Sequence, residues 1–169
     1  MIPIRVVMAS FALLGVACGG DELEPAIAGL ASIGDLMVVE GFGPEPVTPD
    51  VAAVYFTIHN RGDRDDRITD VAVSVAETTE IHSQIMGDDG MVRMEPVSSW
   101  VVAAGDTVAL MPGGVHVMLH ELAAPYAAGD SLFVTVTFEQ AGALEFWVPV
   151  IPYAEVAERS GGMSHEGHH

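Results

Sequence analysis

The chain has 169 residues, enough for one ordinary domain with a real hydrophobic core, and half of them are apolar. Its 24 acidic residues stand against six arginines and no lysine, for a formal net charge of -18. Such a field repels nucleic acid and anionic headgroups, which sets both aside as partners, while it keeps the body soluble and favours cations without selecting any one metal.

Residues 1–18 read as a targeting segment. Arg5 supplies a minimal positive region, residues 6–17 form an apolar stretch, and Leu14-Gly15-Val16-Ala17-Cys18 resembles a lipoprotein processing site. Cys18 would then carry lipid and hold the protein at the outer face of the cytoplasmic membrane. A plain cleaved signal peptide is the other reading of the same stretch. No later apolar run is long enough to span a bilayer as a helix. Cys18 is the chain's one cysteine, so the mature body has no thiol for a disulfide, a metal or a nucleophile.

Residues 19–34 mix Gly, Ala, Glu and Pro without a period and suit a flexible tether. From 35 to 152 the pattern changes to short stretches rich in Val, Ile, Thr, Tyr and Phe, broken every ten residues or so by Gly, Pro, Asn or Asp. Strands are expected at 36–40, 51–59, 68–75, 80–85, 91–96, 101–103, 107–110, 116–120, 131–139 and 144–150. No long helix competes with them. Ten evenly spaced short strands predict an all-β domain, an antiparallel sandwich or barrel. Asp88-Asp89-Gly90 and Pro112-Gly113-Gly114 are its most legible turns. Residues 153–169 follow as a C-terminal tail, small, polar and rich in Met and His toward its end, where mobility is expected.

Chemistry concentrates in two places. His116 and Met118 are two apart on an expected strand, so they share a face, with Val117 and Leu119 on the opposite, core side. His82 and Met94 flank the Asp88-Asp89-Gly90 turn, which is expected to bring them roughly opposite one another and onto one face. Methionine is also a common core filler and a strand histidine is commonly structural. Four such residues on matching faces, in a body without thiols, make a set suited to Cu(I). That ion accepts thioether sulfur, whereas zinc prefers thiolate, imidazole or carboxylate and calcium wants oxygen.

These residues also resemble the periplasmic copper chaperones of the PCuAC family. The family motif is a histidine, one residue that is often Met, ten residues, a methionine, twenty-one residues, and His-x-Met. Here it is met by His82, Ser83, Met94, His116 and Met118. Further similar stretches are Ala53-Val54-Tyr55-Phe56-Thr57-Ile58-His59-Asn60, Thr79-Glu80-Ile81-His82 and Met91-Val92-Arg93-Met94-Glu95-Pro96. Ser83 stands where an optional methionine ligand is often found. The resemblance implies a cupredoxin-like β-sandwich binding Cu(I) at an exposed site. It also implies delivery to the binuclear copper centre of cytochrome c oxidase, beside a Sco-type thioredoxin-fold partner.

His120 continues the face of His116 and Met118, either as a reserve ligand or as part of the rim. Met86 and Met91 flank the hairpin loop, where they could guide copper or simply be exposed. His59 reads as structural, and Trp100, Trp147 and the Phe residues as core. Met163, His165, His168 and His169 resemble the extensions of some family members that add a second copper site, for instance for Cu(II). Copper sequestration without delivery would use the same ligands. No G-x-S-x-G or H-E-x-x-H stretch occurs, so no enzyme is expected.

Overall fold

The computed structural model describes residues 31–87 and 90–161. Among the described residues there are eleven strands: β1 (Ala31–Ile33), β2 (Leu36–Pro44), β3 (Val51–Asn60), β4 (Asp66–Val73), β5 (Ala76–Met86), β6 (Val92–Val97), β7 (Trp100–Val102), β8 (Thr107–Leu110), β9 (His116–Leu122), β10 (Ser131–Phe138) and β11 (Gly142–Ile151). They follow one hydrogen-bonded path, β6-β5-β9-β3-β2-β11-β10-β4-β7, with β1 added to β2 and β8 to β3. The path curls over so that its inner face closes on a single main core. There Phe56 of β3 meets Phe146 of β11 edge-on, their rings 5.6 Å apart.

Period-two burial shows why these segments are strands. Along β10, Leu132, Val134, Val136 and Phe138 point inward, and along β11 Leu144, Phe146 and Val148 do the same, with more exposed residues between them. Trp147 falls on the outward side of that alternation, 47% exposed and packed on its cross-strand partner Phe133. It is therefore a surface ring and not the core residue expected from its apolar neighbours. Gly41 is needed for packing, since a Cβ there would come within 2.7 Å of Val148 Cγ1. Away from the β5–β6 hairpin, the buried side chain of Asn60 ties the loop at residues 61–64 to Val102, with Nδ2 donating to the carbonyls of Arg64 and Val102.

The structure departs from the sequence expectation at both ends of the body and in one strand pairing. Residues 31–33, expected in the tether, form β1 and pair with β2 through a turn at Gly34, whose φ is +56°. The ladder is antiparallel except where Val150 and Ile151 run parallel to Gly43 and Pro44, an arrangement the sequence pattern does not encode. At the other end, Tyr153–Glu155 form a 3-10 turn and Val156–Gly161 a short helix, α1. They belong to the folded body and not to the tail expected from 153, because Val156 packs on a small cluster of Phe42, Met111 and Ile151. The Arg159 guanidinium also lies 5.3 Å from the Phe42 ring centre. Cys18, Met163, His165, His168 and His169 lie outside the described residues.

Candidate metal site

Strand β9 places the first pair. Val117 and Leu119 are fully buried in the core, so His116, Met118 and His120 line the opposite face of the strand. The Pro112-Gly113-Gly114 turn sets where this row begins. Gly113 takes a φ of +83°, which only glycine adopts without strain, and the Met111 amide donates to the Val115 carbonyl at 2.7 Å. The chain thus re-enters the sheet at His116. Its Nδ1 lies 2.9 Å from the Gly114 carbonyl oxygen. A carbonyl can only accept, so Nδ1 carries the proton and Nε2 keeps its lone pair, the tautomer a metal needs.

Strand β5 lies beside β9 with His82 directly opposite His116, Glu80 opposite Met118 and Thr78 opposite His120. Residues directly opposite share a face, so one surface carries three imidazoles, a thioether and a carboxylate. The His82 and His116 ring centres are 5.9 Å apart, and those of His82 and His120 are 6.2 Å apart. His116 is buried, while Met118, His82 and His120 are half-buried.

Met94 is placed differently from the expectation. On β6 it faces Gln84, and Pro96 is the residue opposite His82. Met94 is therefore a diagonal neighbour of His82, still on the same face because it is two residues from Pro96. The cause lies in the loop. Gly87 N donates to Met91 O, and Gly90, at a φ of +75°, closes the turn. The hairpin is thus centred one residue later than a loop symmetric about Asp88 would be. Met94 is 55% exposed and lies to the side of the histidine row. Ser83 lies between His82 and Gln84 and so points to the other face of β5.

Glu80 is the residue the sequence reading passed over. Its Oε2 accepts from His82 Nε2 at 2.9 Å and lies 3.4 Å from His120 Nε2. The hydrogen bond from His82 holds the Glu80 carboxyl below its ordinary pKa, with the nearby positive ends of both imidazoles adding to the effect. The spacing Glu80-Ile81-His82 was a usable signal, because two residues apart on a strand means a shared face.

The face can do one thing directly: it presents imidazole nitrogen and thioether sulfur from adjacent strands, the donors a soft monovalent ion accepts. His82, His116 and Met118 are brought together by ladder register, and Met94 borders them from the edge strand.

A family model described as "Putative lipoprotein LpqE-like" matches residues 39–150. "Putative lipoprotein Lxx21020" of Leifsonia xyli subsp. xyli (strain CTCB07) is 28% identical over 112 residues, covering 66% of this chain and 68% of that protein. Among solved structures, the apo PCuAC domain from PmoF1 superposes with a TM-score of 0.62 at 25% identity, covering 73% of this chain and 98% of that domain. The copper-bound PCuAC domain from PmoF2 gives 0.62 at 20% identity, covering 73% and 97%. The Cu(I) form of DR1885 from Deinococcus radiodurans gives 0.58 at 22%, covering 76% and 83%. The architecture is thus the cupredoxin-like β fold of PCuAC domains. On the strength of a family model that spans most of the strand-forming body, the chain belongs to the LpqE-like lipoprotein family.

Proposed function

We propose that this protein is a non-catalytic Cu(I) carrier that binds the ion with His82, His116, Met118 and Met94 and passes it to another protein. The observation that carries the reading is the register of β5 and β9, which sets His82 directly opposite His116 with Met118 two residues further on the same face. Similarity to copper-bound PCuAC domains supports it. A carrier must release its cargo, and the arrangement suits stepwise exchange. One imidazole is buried and fixed by Gly114, while the Met94 thioether is exposed on an edge strand and can be replaced first. By the same resemblance the receiver is the copper-bearing subunit of cytochrome c oxidase, with a Sco-type protein alongside, and the site of action is the periplasm or the outer face of the cytoplasmic membrane. The lipoprotein names of the family and of its relative support a Cys18 anchor. The tail residues Met163, His165, His168 and His169 add a second, looser copper site, for Cu(II).

Titration of the full-length protein with Cu(I) under reducing conditions, in competition with a chromophoric chelator, tests the site. His116→Ala with Met118→Ala should lower the affinity at least about tenfold, the usual scale for lost metal ligation or its support. Unchanged affinity would remove these residues from the site. Delivery is tested separately: deletion of the gene should lower the copper content of the oxidase under copper limitation. Unchanged loading would favour sequestration.

A further inference from the structure

Three donor groups on the same outer face do not belong to the soft-metal set as a unit: the Glu80 carboxylate, His82 and His120. Their ligand atoms all lie within 4.8 Å of one another. Glu80 Oε2 is 2.9 Å from His82 Nε2 and 3.4 Å from His120 Nε2. An ion bound at about 2.0–2.2 Å holds neighbouring donors roughly 3.0–3.5 Å apart, so both separations from Glu80 are close to those of a chelate, and all three donors lie within 4.8 Å of one another. The strands explain the convergence. Glu80 and His82 are two apart on β5, and His120 on β9 sits opposite Thr78, the next residue of that same row.

A second observation points to a ligand at this spot. His120 Nε2 is buried without a hydrogen bond. Its one close polar neighbour, Glu80 Oε2 at 3.4 Å, is long for a charge-assisted hydrogen bond, so this buried nitrogen is poorly satisfied. A cation among the three groups would satisfy it.

We propose that Glu80, His82 and His120 form a second metal site, for a borderline divalent ion such as Zn(II), and that sharing His82 makes this site and the Cu(I) site alternatives. Two imidazoles and a carboxylate are donors that Zn(II) prefers, and they offer Cu(I) no sulfur. The exclusion follows from the ring itself. A neutral imidazole has one lone pair, so His82 serves one ion at a time whichever nitrogen is used. The divalent site stands on its own geometry, whereas the exclusion rests on the Cu(I) reading given above.

The test uses the full-length chain carrying His165→Ala, His168→Ala and His169→Ala, so that tail imidazoles do not contribute. Zn(II) alone is titrated calorimetrically, and Cu(I) by chelator competition with and without Zn(II). One Zn(II) should bind. His120→Ala and the conservative Glu80→Gln should each weaken it at least about tenfold and weaken Cu(I), which neither residue ligates, by a smaller factor. Met118→Ala should do the reverse, and His82→Ala should weaken both. Added Zn(II) should raise the apparent Kd for Cu(I) in step with its concentration. Absence of Zn(II) binding, or binding indifferent to both Glu80 and His120, would overturn the divalent site. Simultaneous saturation with both ions would overturn the exclusion. Normal Zn(II) binding with no Cu(I) binding would instead remove the Cu(I) reading and leave the divalent site standing. Far-ultraviolet circular dichroism confirms the fold of each variant, and Glu80→Gln keeps the test decisive should His120→Ala fail to fold.

Discussion

Two of the proposed Cu(I) ligands are held in opposite ways. His116 is 5% exposed and its ring is fixed by the Gly114 carbonyl, so its orientation exists before any ion arrives. Met94 is 55% exposed and can swing. A different residue tests how the interior treats a polar group. Tyr126 is buried, its hydroxyl has no hydrogen-bond partner, and burial pushes its pKa up to about 12 from 10.0. The unfolded chain ionises this phenol near pH 10, while the folded chain keeps its proton until about pH 12. The phenol's contribution to stability is therefore whole below about pH 10 and is lost as the pH rises through that interval. Tyr126→Phe should flatten the fall in urea-unfolding stability between those pH values relative to the parent. At neutral pH it should change stability by no more than about 1 kcal/mol, because no hydrogen bond is removed. A steeper alkaline fall in the variant would contradict the assignment.

At the scale of elements, ten of the eleven strands were legible, because alternation such as that of β10 is written directly into Leu132, Val134, Val136 and Phe138. What escaped was whatever depends on the register in which strands pair and on which side of them meets the core. Ala31–Ile33 is too short and too mixed to show a period, and it is a strand only because β2 offers a pairing edge. Trp147 looks like core in a linear reading and is outward by register. His116 and Met118 could be placed on one face from their spacing, but the β5–β9 pairing that sets His82 opposite His116 could not. The diagonal position of Met94 could not, since a five-residue loop closed by Gly90 shifts the pairing by two partners. Close packing between elements also sets glycine positions. Gly41→Ala should destabilise the domain by about 1–3 kcal/mol by driving a methyl group into the buried Val148 side chain. A shift of the urea midpoint without a change in slope would report this.

For the whole molecule, the ends of the strand path matter most. β6 and β7 terminate it, and β6 carries the exposed Val92 and Met94 next to Ile85 and Met86 on β5. Every residue of β6 except Val97 is exposed, so it shares least in the core that stabilises the rest. Any ligand that binds only the folded state stabilises it, by about 2.7 kcal/mol at a free concentration one hundred times its Kd. Thermal unfolding of the Cu(I)-loaded protein should therefore occur at a higher temperature than that of the apo protein, and the increase should shrink when Met118 is replaced by Ala. An unchanged melting temperature at saturating Cu(I) would contradict binding to the folded domain.

Because Met94 sits on that outermost ribbon while His82, His116 and Met118 lie further in, capture of an ion by the proposed set would double as a fastener. An ion reaching from Met94 to the inner strands would stitch the loosest margin of the sheet to its firmest part, and release of the ion would let the margin fray. Amide hydrogen exchange across Val92–Val97 should thus slow markedly on Cu(I) loading, while exchange within β10 and β11 stays as it was. A receiving protein would then meet two different margins, a sewn one that announces a loaded carrier and a loose one that announces an empty carrier, and could tell them apart without touching the metal.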